Sequence, residues 1–219
     1  YIVSHNIRSH SANLNGLMSL LKGAESQTEK DEILQLVEKV GVNLEETIRH
    51  LSDVITIDKS INKSKQMVVL NGEVDKILSL VKPDITRLEA EVHLSYNDKT
   101  KVFAVPAYFE SILQNLMTNA LRYASPWRKP VIEIGHYEKN DFDVIYVKDN
   151  GLGIDLKKHK DKIFKMYQTF HGHEESRGLG LYLLKSQVEA MNGRVELESA
   201  PKKGSTFKVF IPKRPIDEQ

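Results

Sequence analysis

No proline interrupts the first 58 residues, and apolar side chains recur through them at steps of three and four. A chain that holds that spacing so long without a breaker has one regular option, the α-helix. In the later part Val37, Val40, Leu44, Ile48, Leu51 and Ile55 form the seam of a helix packed in a bundle. The earlier part carries a matching stripe of Val3, Ile7, Leu14, Leu17 and Leu21. Between them Gly23 stops one helix, and Ser26 or Thr28 caps the next. The reading is a helical hairpin over residues 1–58. So short a hairpin has too little interior to stand alone, which predicts pairing with a second copy into a four-helix bundle, a homodimer.

The remainder of the 219 residues reads differently. Residues 59–66 are polar and lysine-rich and predict a linker. From 67 to 219, strand-like alternation occupies 92–96, 131–137, 142–147, 194–198 and 206–211, separated by helical stretches near 72–88, 106–124 and 179–192. Residues 138–141 and 201–204 read as hairpin turns. That order predicts an α+β sandwich, a mostly antiparallel sheet covered by helices on one face, rather than a doubly wound parallel sheet.

Composition removes several classes of function. The absence of cysteine excludes a disulfide scaffold and a cysteine zinc site, and leans toward a reducing, cytoplasmic setting. With 31 basic and 30 acidic side chains, nothing points to a nucleic-acid partner. No apolar run reaches the roughly 18 residues of a membrane span, so no membrane contact is expected of this stretch. The chain opens at Tyr1, directly on helical sequence, and reads as a piece of something longer with its sensor or membrane attachment upstream.

Four groups of residues carry chemistry. With Ile7 as origin and about 100° per residue, the first apolar stripe lies within roughly 80°, His10 falls inside it, and His5 lands about 160° away, facing solvent. An imidazole there offers an unprotonated nitrogen at neutral pH. Asn115, Asn119 and Arg122 share one helical face, and two amide oxygens with a guanidinium suit a hydrated Mg²⁺ and its phosphate oxygens. Asp149-Asn150-Gly151-Leu152-Gly153 follows a strand, with two glycines that let a ligand approach the chain beside Asp149. Arg177-Gly178-Leu179-Gly180-Leu181 opens a helix whose N-terminal N–H groups suit phosphate. The long stretch 154–176, with its lysines, Ile163-Phe164, Tyr167 and Phe170, reads as a lid over a polyphosphate. His171 and His173 lack a third ligand in register for a metal site. Taken singly, each group is also what a solvated helix face or a plain turn looks like.

Their order along the chain is more specific, and over essentially its whole length it resembles the sensor histidine kinases. His5-Asn6-Ile7-Arg8-Ser9-His10 is similar to the family's phosphoacceptor box, 115–123 to its N box, 149–153 to its first glycine box, 163–170 to its F box and 177–181 to its second glycine box. Gly204-Ser205-Thr206-Phe207 resembles the strand motif that ends its ATP-binding domain. The resemblance implies that His5 attacks the γ-phosphate of ATP, with Asn6, Arg8 and Ser9 around it, and that the phosphoryl group passes to an aspartate on a response-regulator receiver domain. It further implies that Asp149 accepts the adenine amine, Asn115 and Asn119 hold Mg²⁺, and Arg122 reaches a phosphate. Tyr123 packs beside adenine, Thr206 lines the base pocket, and Gly151, Gly153, Arg177, Gly178, Leu179 and Gly180 complete the nucleotide site.

Some positions depart from the family's pattern. Asn6 stands where an acidic residue commonly takes the imidazole proton, His10 where proline is frequent, and Ser176 where glycine is usual. Ser9 occupies a place associated with phosphatase activity toward the regulator. Two alternatives stand beside the kinase reading. One is an ATP-hydrolysing conformational machine of the gyrase and chaperone type, which requires a Glu where this chain has Asn115. The other is a dimeric nucleotide-binding scaffold deficient in transfer.

Overall fold

The computed structural model describes residues 2–55, 65–159, 162–165 and 179–213, with side chains 2–11, 43 and 45–55 outside the description. The chain divides into two compact units, Tyr1–Thr56 and Ile57–Gln219.

The first unit consists of helices α1 (Ile2–Gly23) and α2 (Gln27–Ile55). Of the two candidate caps, Ser26 serves. Its Oγ accepts the Glu29 N–H at 3.1 Å, which satisfies one of the orphan donors at the start of α2, while the Glu29 carboxylate reaches back to accept the Glu25 N–H of the preceding turn. Ile33 is buried, and Leu14, Leu17, Leu21, Val37, Val40 and Leu44 are half-buried. Met18 and Leu34 remain 44% and 46% exposed beside those stripes. The unit therefore shows more apolar surface than two helices can cover for each other.

The second unit runs β1 (Gln66–Val69), α3 (Leu70–Leu88), β2 (Glu91–Ser95), β3 (Lys101–Ala104), α4 (Pro106–Arg122), β4 (Val131–Lys139), β5 (Phe142–Asp149), α5 (Leu156–His159), α6 (Gly180–Ala190), β6 (Arg194–Ala200) and β7 (Gly204–Pro212). Five strands form a mixed sheet in the order β2-β4-β5-β7-β6. Only β2 and β4 are parallel, since the chain between them crosses through β3 and α4, and the other pairs are antiparallel. The hairpin turns put Asn140 and Lys202 at φ 52° and 63°, the left-handed region that tight turns demand. A separate antiparallel ribbon joins β1 to β3, which the sequence reading does not contain.

Periodicity explains the core. Leu70, Val74, Ile77 and Val81 line one stripe of α3, and Phe109, Ile112, Leu113, Leu116 and Met117 that of α4. They pack with Leu184 and Val188 of α6 against Ile132, Ile134, Ile145, Val147, Phe207, Val209 and Ile211 of the sheet. By strand alternation Glu133, Tyr146, Lys148, Thr206 and Lys208 occupy the opposite face. At the C-terminal end of α6, Lys65 Nζ donates to the Met191 carbonyl at 2.9 Å, a cation at the negative end of a helix. Among the described residues no helix is long and apolar enough to cross a membrane.

Candidate functional site

The site is built where β5 ends. Asp149, its last residue, turns its carboxylate back onto the chain, and Oδ1 accepts the Gly151 N–H at 2.7 Å and the Ser205 N–H at 3.2 Å. Burial pushes this carboxyl up from its ordinary value, and those two N–H groups together with the charge of Arg128 pull in the other direction without cancelling it. The result is a half-buried acid whose Oδ1 is fixed and whose Oδ2 takes no hydrogen bond from the described residues.

Two loops must meet closely for this geometry. Gly204 opens β7 at φ 93°, and a Cβ on it would fall 2.0 Å from the Asp149 carbonyl oxygen. Gly153, at φ 67°, approaches the Ala200 carbonyl just as closely. Gly151 lies against the end of α4, where the Tyr123 carbonyl accepts the Leu152 N–H at 2.9 Å. Tyr123 itself is half-buried.

The second wall is α4 facing α6. Asn115 Nδ2 donates to the Ser111 carbonyl at 3.0 Å, which turns Oδ1 outward. That oxygen sits 2.6 Å from where a Cβ on Gly180 would stand, so a side chain there would displace the Asn115 amide. Gln187 Nε2 donates to Ser111 Oγ at 3.1 Å and sets the register between the two helices. Asn119, one turn on, is half-buried. The start of α6 has no side-chain cap among the described residues, and a helix N-terminus presents N–H groups suited to an anion. Leu179, just before it, is buried.

Two residues fall elsewhere. Thr206 pairs with Lys148 and Glu198, on the sheet face away from Asp149, so the expectation that it lines the base pocket is corrected. Its neighbour Ser205 stands beside Asp149 instead. Arg122 is exposed and lines a cavity of about 980 Å³ between the end of α3 and residues 124–130, which Asn115, Asn119 and Asp149 do not line.

Three side chains hold the site together: Ser199 and Arg128, which carry no signal in the sequence, and Asn150, which lies without a role of its own inside the glycine motif. Ser199 Oγ accepts the Ile154 N–H at 2.7 Å and donates to the Gly204 carbonyl at 2.9 Å. Asn150 donates through Nδ2 to Lys129 O and accepts the Val131 N–H on Oδ1. Arg128 bonds the carbonyls of Asn150, Gly151 and Lys202. None has a local pattern, because each joins segments far apart in sequence; Asn150, inside the glycine motif, was the nearest to visible.

Ile163 is buried and Phe164 packs on the core with Lys185 Nζ 5.9 Å from its ring. Tyr167, Phe170, His171, His173, Ser176, Arg177 and Gly178 lie outside the described residues, as do residues 56–64. His5, Asn6, Arg8, Ser9 and His10 lie on α1, with their side chains outside the description. Among the described residues no group of three His, Cys, Asp or Glu side chains is placed to hold a metal. The outward Asn115 oxygen, with Asn119 one turn away, fits a Mg²⁺ held mainly by its ligand's phosphates and water.

Comparison with known proteins places this geometry. Residues 104–215 match the profile of a family described as histidine kinase-, DNA gyrase B- and HSP90-like ATPase. The phytochrome-like protein Cph1 of Synechocystis sp. is 29% identical over 218 residues, 97% of this chain and 28% of its own length. Sensor histidine kinase ZraS of Escherichia coli is 29% identical over 211 residues, 96% of this chain and 44% of its length. The chain thus spans less than half of these curated relatives. Among solved structures, the histidine kinase AdeS of Acinetobacter baumannii aligns with TM-score 0.74 at 18% identity, covering 96% of this chain and 98% of that one. Histidine kinase ThkA, solved in complex with response regulator protein TrrA, aligns with TM-score 0.74 at 19% identity over 99% of this chain and 61% of that one.

Proposed function

Because the chain belongs to the histidine kinase-, DNA gyrase B- and HSP90-like ATPase family, we propose that it is the catalytic core of a sensor histidine kinase. It binds Mg²⁺-ATP in the second unit, autophosphorylates His5 and passes the phosphoryl group to an aspartate on a response-regulator receiver domain. The observation that carries this reading is the half-buried Asp149 carboxylate, gripped through Oδ1 by two backbone N–H groups inside the matched segment. An acid held so leaves Oδ2 to accept an exocyclic amine, the group that distinguishes adenine.

In this reading Asn115 and Asn119 hold Mg²⁺, and the first N–H groups of α6, with Arg177 and Gly178 ahead of them, take the phosphates. Bound Mg²⁺ supplies charge neutralisation on the phosphate oxygens. Tyr123 flanks the base and Gly151 and Gly153 shape the loop under it. Arg122 reaches a phosphate by swinging out of the cavity it lines. The Asn at position 115 offers no carboxylate to deprotonate water, which favours transfer to an imidazole over hydrolysis. Asn6 orients the His5 ring by accepting a hydrogen bond, with Arg8 and Ser9 on the same turn of helix.

Residues 1–58 form the dimerising and phosphoacceptor hairpin, 59–66 the linker and 67–219 the ATP-binding domain, with the four-helix bundle completed by a second copy. The exposed Met18 and Leu34 support that pairing. The reaction belongs in the cytoplasm, where ATP is available. The test is incubation with γ-labelled ATP on a chain extended upstream of Tyr1. The reading expects acid-labile label that is lost in His5→Gln, kept in His10→Gln and chased onto a receiver domain. Label lost in His10→Gln and kept in His5→Gln would overturn it.

A further inference from the structure

Arg128 comes from the surface segment between α4 and β4, yet its guanidinium spends its donors on the site. Nε donates to the Asn150 carbonyl, and Nη2 to the carbonyls of Gly151 and Lys202, both at 2.7 Å. The first two lie in the loop after β5 and the third in the turn between β6 and β7. The loop supplies the Gly151 N–H that holds Asp149, and the turn leads directly into β7, which supplies that of Ser205. The clasp is reciprocal, because the Asn150 amide bonds back to the Lys129 carbonyl and the Val131 N–H, just after Arg128 in the chain. A charged group bonding carbonyls of two separate loops fixes their spacing more firmly than either loop's own turn.

We propose that Arg128 is a positioning residue of the nucleotide site: by clasping the Asn150-Gly151 loop to the Lys202 turn it holds the Asp149 carboxylate in the one orientation that accepts an adenine amine, and so sets both affinity and base selectivity. The proposal rests on the assignment of this site to ATP. Lysine cannot replace it, since a single ammonium cannot hold three carbonyls in the planar fork that guanidinium offers. The charge of Arg128 also acts directly on Asp149, opposing the effect of its burial.

The experiment is equilibrium binding of non-hydrolysable ATP and GTP analogues with Mg²⁺ to the full chain, for the parent, Arg128→Ala, Arg128→Lys and Arg194→Ala. Arg194 stacks on Phe210 at 3.8 Å and serves as a control for loss of a guanidinium elsewhere in the same unit. Thermal unfolding of each variant verifies that it is folded. The expected result is a loss of about tenfold in ATP-analogue affinity in Arg128→Ala, with a narrowed ratio of ATP to GTP binding. Arg128→Lys recovers stability but not the ratio, and Arg194→Ala leaves the ratio unchanged. An unchanged ratio in a folded Arg128→Ala, or full recovery by lysine, overturns the role of Arg128 alone. A parent chain that binds neither analogue overturns the ATP reading and this inference with it.

Discussion

Gly204→Ala tests how tightly the two loops around Asp149 are built. The added methyl would lie 2.0 Å from the Asp149 carbonyl oxygen and 2.7 Å from Asn150 Cα, both backbone atoms that no side-chain rotation can move. Gly204 also sits at φ 93°, where an L residue pays for its Cβ. The conformational penalty is about 1–2 kcal/mol, and overpacking in a closed region adds about 1–3 kcal/mol. A unit of this size loses roughly 2–4 °C of Tm per kcal/mol, so the expected drop is about 4–20 °C. Differential scanning calorimetry on the intact chain is the assay, read on the transition of the nucleotide-binding unit. Gly72→Ala is the counterpart: nothing lies within 4 Å of its Cβ position in α3, so the same chemical change there should stabilise by about 0.5–1 kcal/mol. A Gly204→Ala chain that melts within 2 °C of the parent, on the order of the experimental scatter, would refute the steric reasoning.

Three further outcomes follow from the same geometry. The folded state holds the Asp149 proton more tightly than the unfolded chain does, so stability is lost as pH rises from the ordinary 3.8 through the raised value. Asp149→Asn, which keeps the accepting oxygen, should therefore resist urea better than the parent at pH 7, with the difference closing as pH falls toward 3.8. Ser199→Ala strands the Ile154 N–H and should cost about 1–3 kcal/mol in urea unfolding, whereas Thr206→Val, on the far face, should leave nucleotide affinity unchanged. The double substitution Met18→Glu with Leu34→Glu should halve the mass measured by sedimentation equilibrium, and an unchanged dimer would remove those two side chains from the interface.

How much of this was legible depended on whether the signal was local. The five sheet strands and the helices α3, α4 and α6 repeat at periods of two and 3.6, and a window along the chain is enough to see them. The β1-β3 ribbon is two strands of four residues each, paired across more than thirty positions, and carries no periodicity to read. Asp149 and its glycines stood out because a glycine pair after a strand has a backbone reason to exist. Thr206 was taken for Ser205's role because strand side chains alternate, so an error of one residue moves a group to the opposite face. Arg128 and Ser199 were invisible for a different reason: each works by bonding main-chain groups, carbonyls for Arg128 and the Ile154 N–H and Gly204 carbonyl for Ser199, and a bond to backbone selects no partner residue type.

The central claim is that the loop after β5 forms an adenine-nucleotide site around Asp149. Isothermal titration of a non-hydrolysable ATP analogue with Mg²⁺ into the parent chain and into Asp149→Asn tests it most directly. The account predicts saturable binding to the parent and at least about tenfold weaker binding to a folded Asp149→Asn, since an amide in that place presents a donor to the base amine. Equal affinity in the two chains would contradict it.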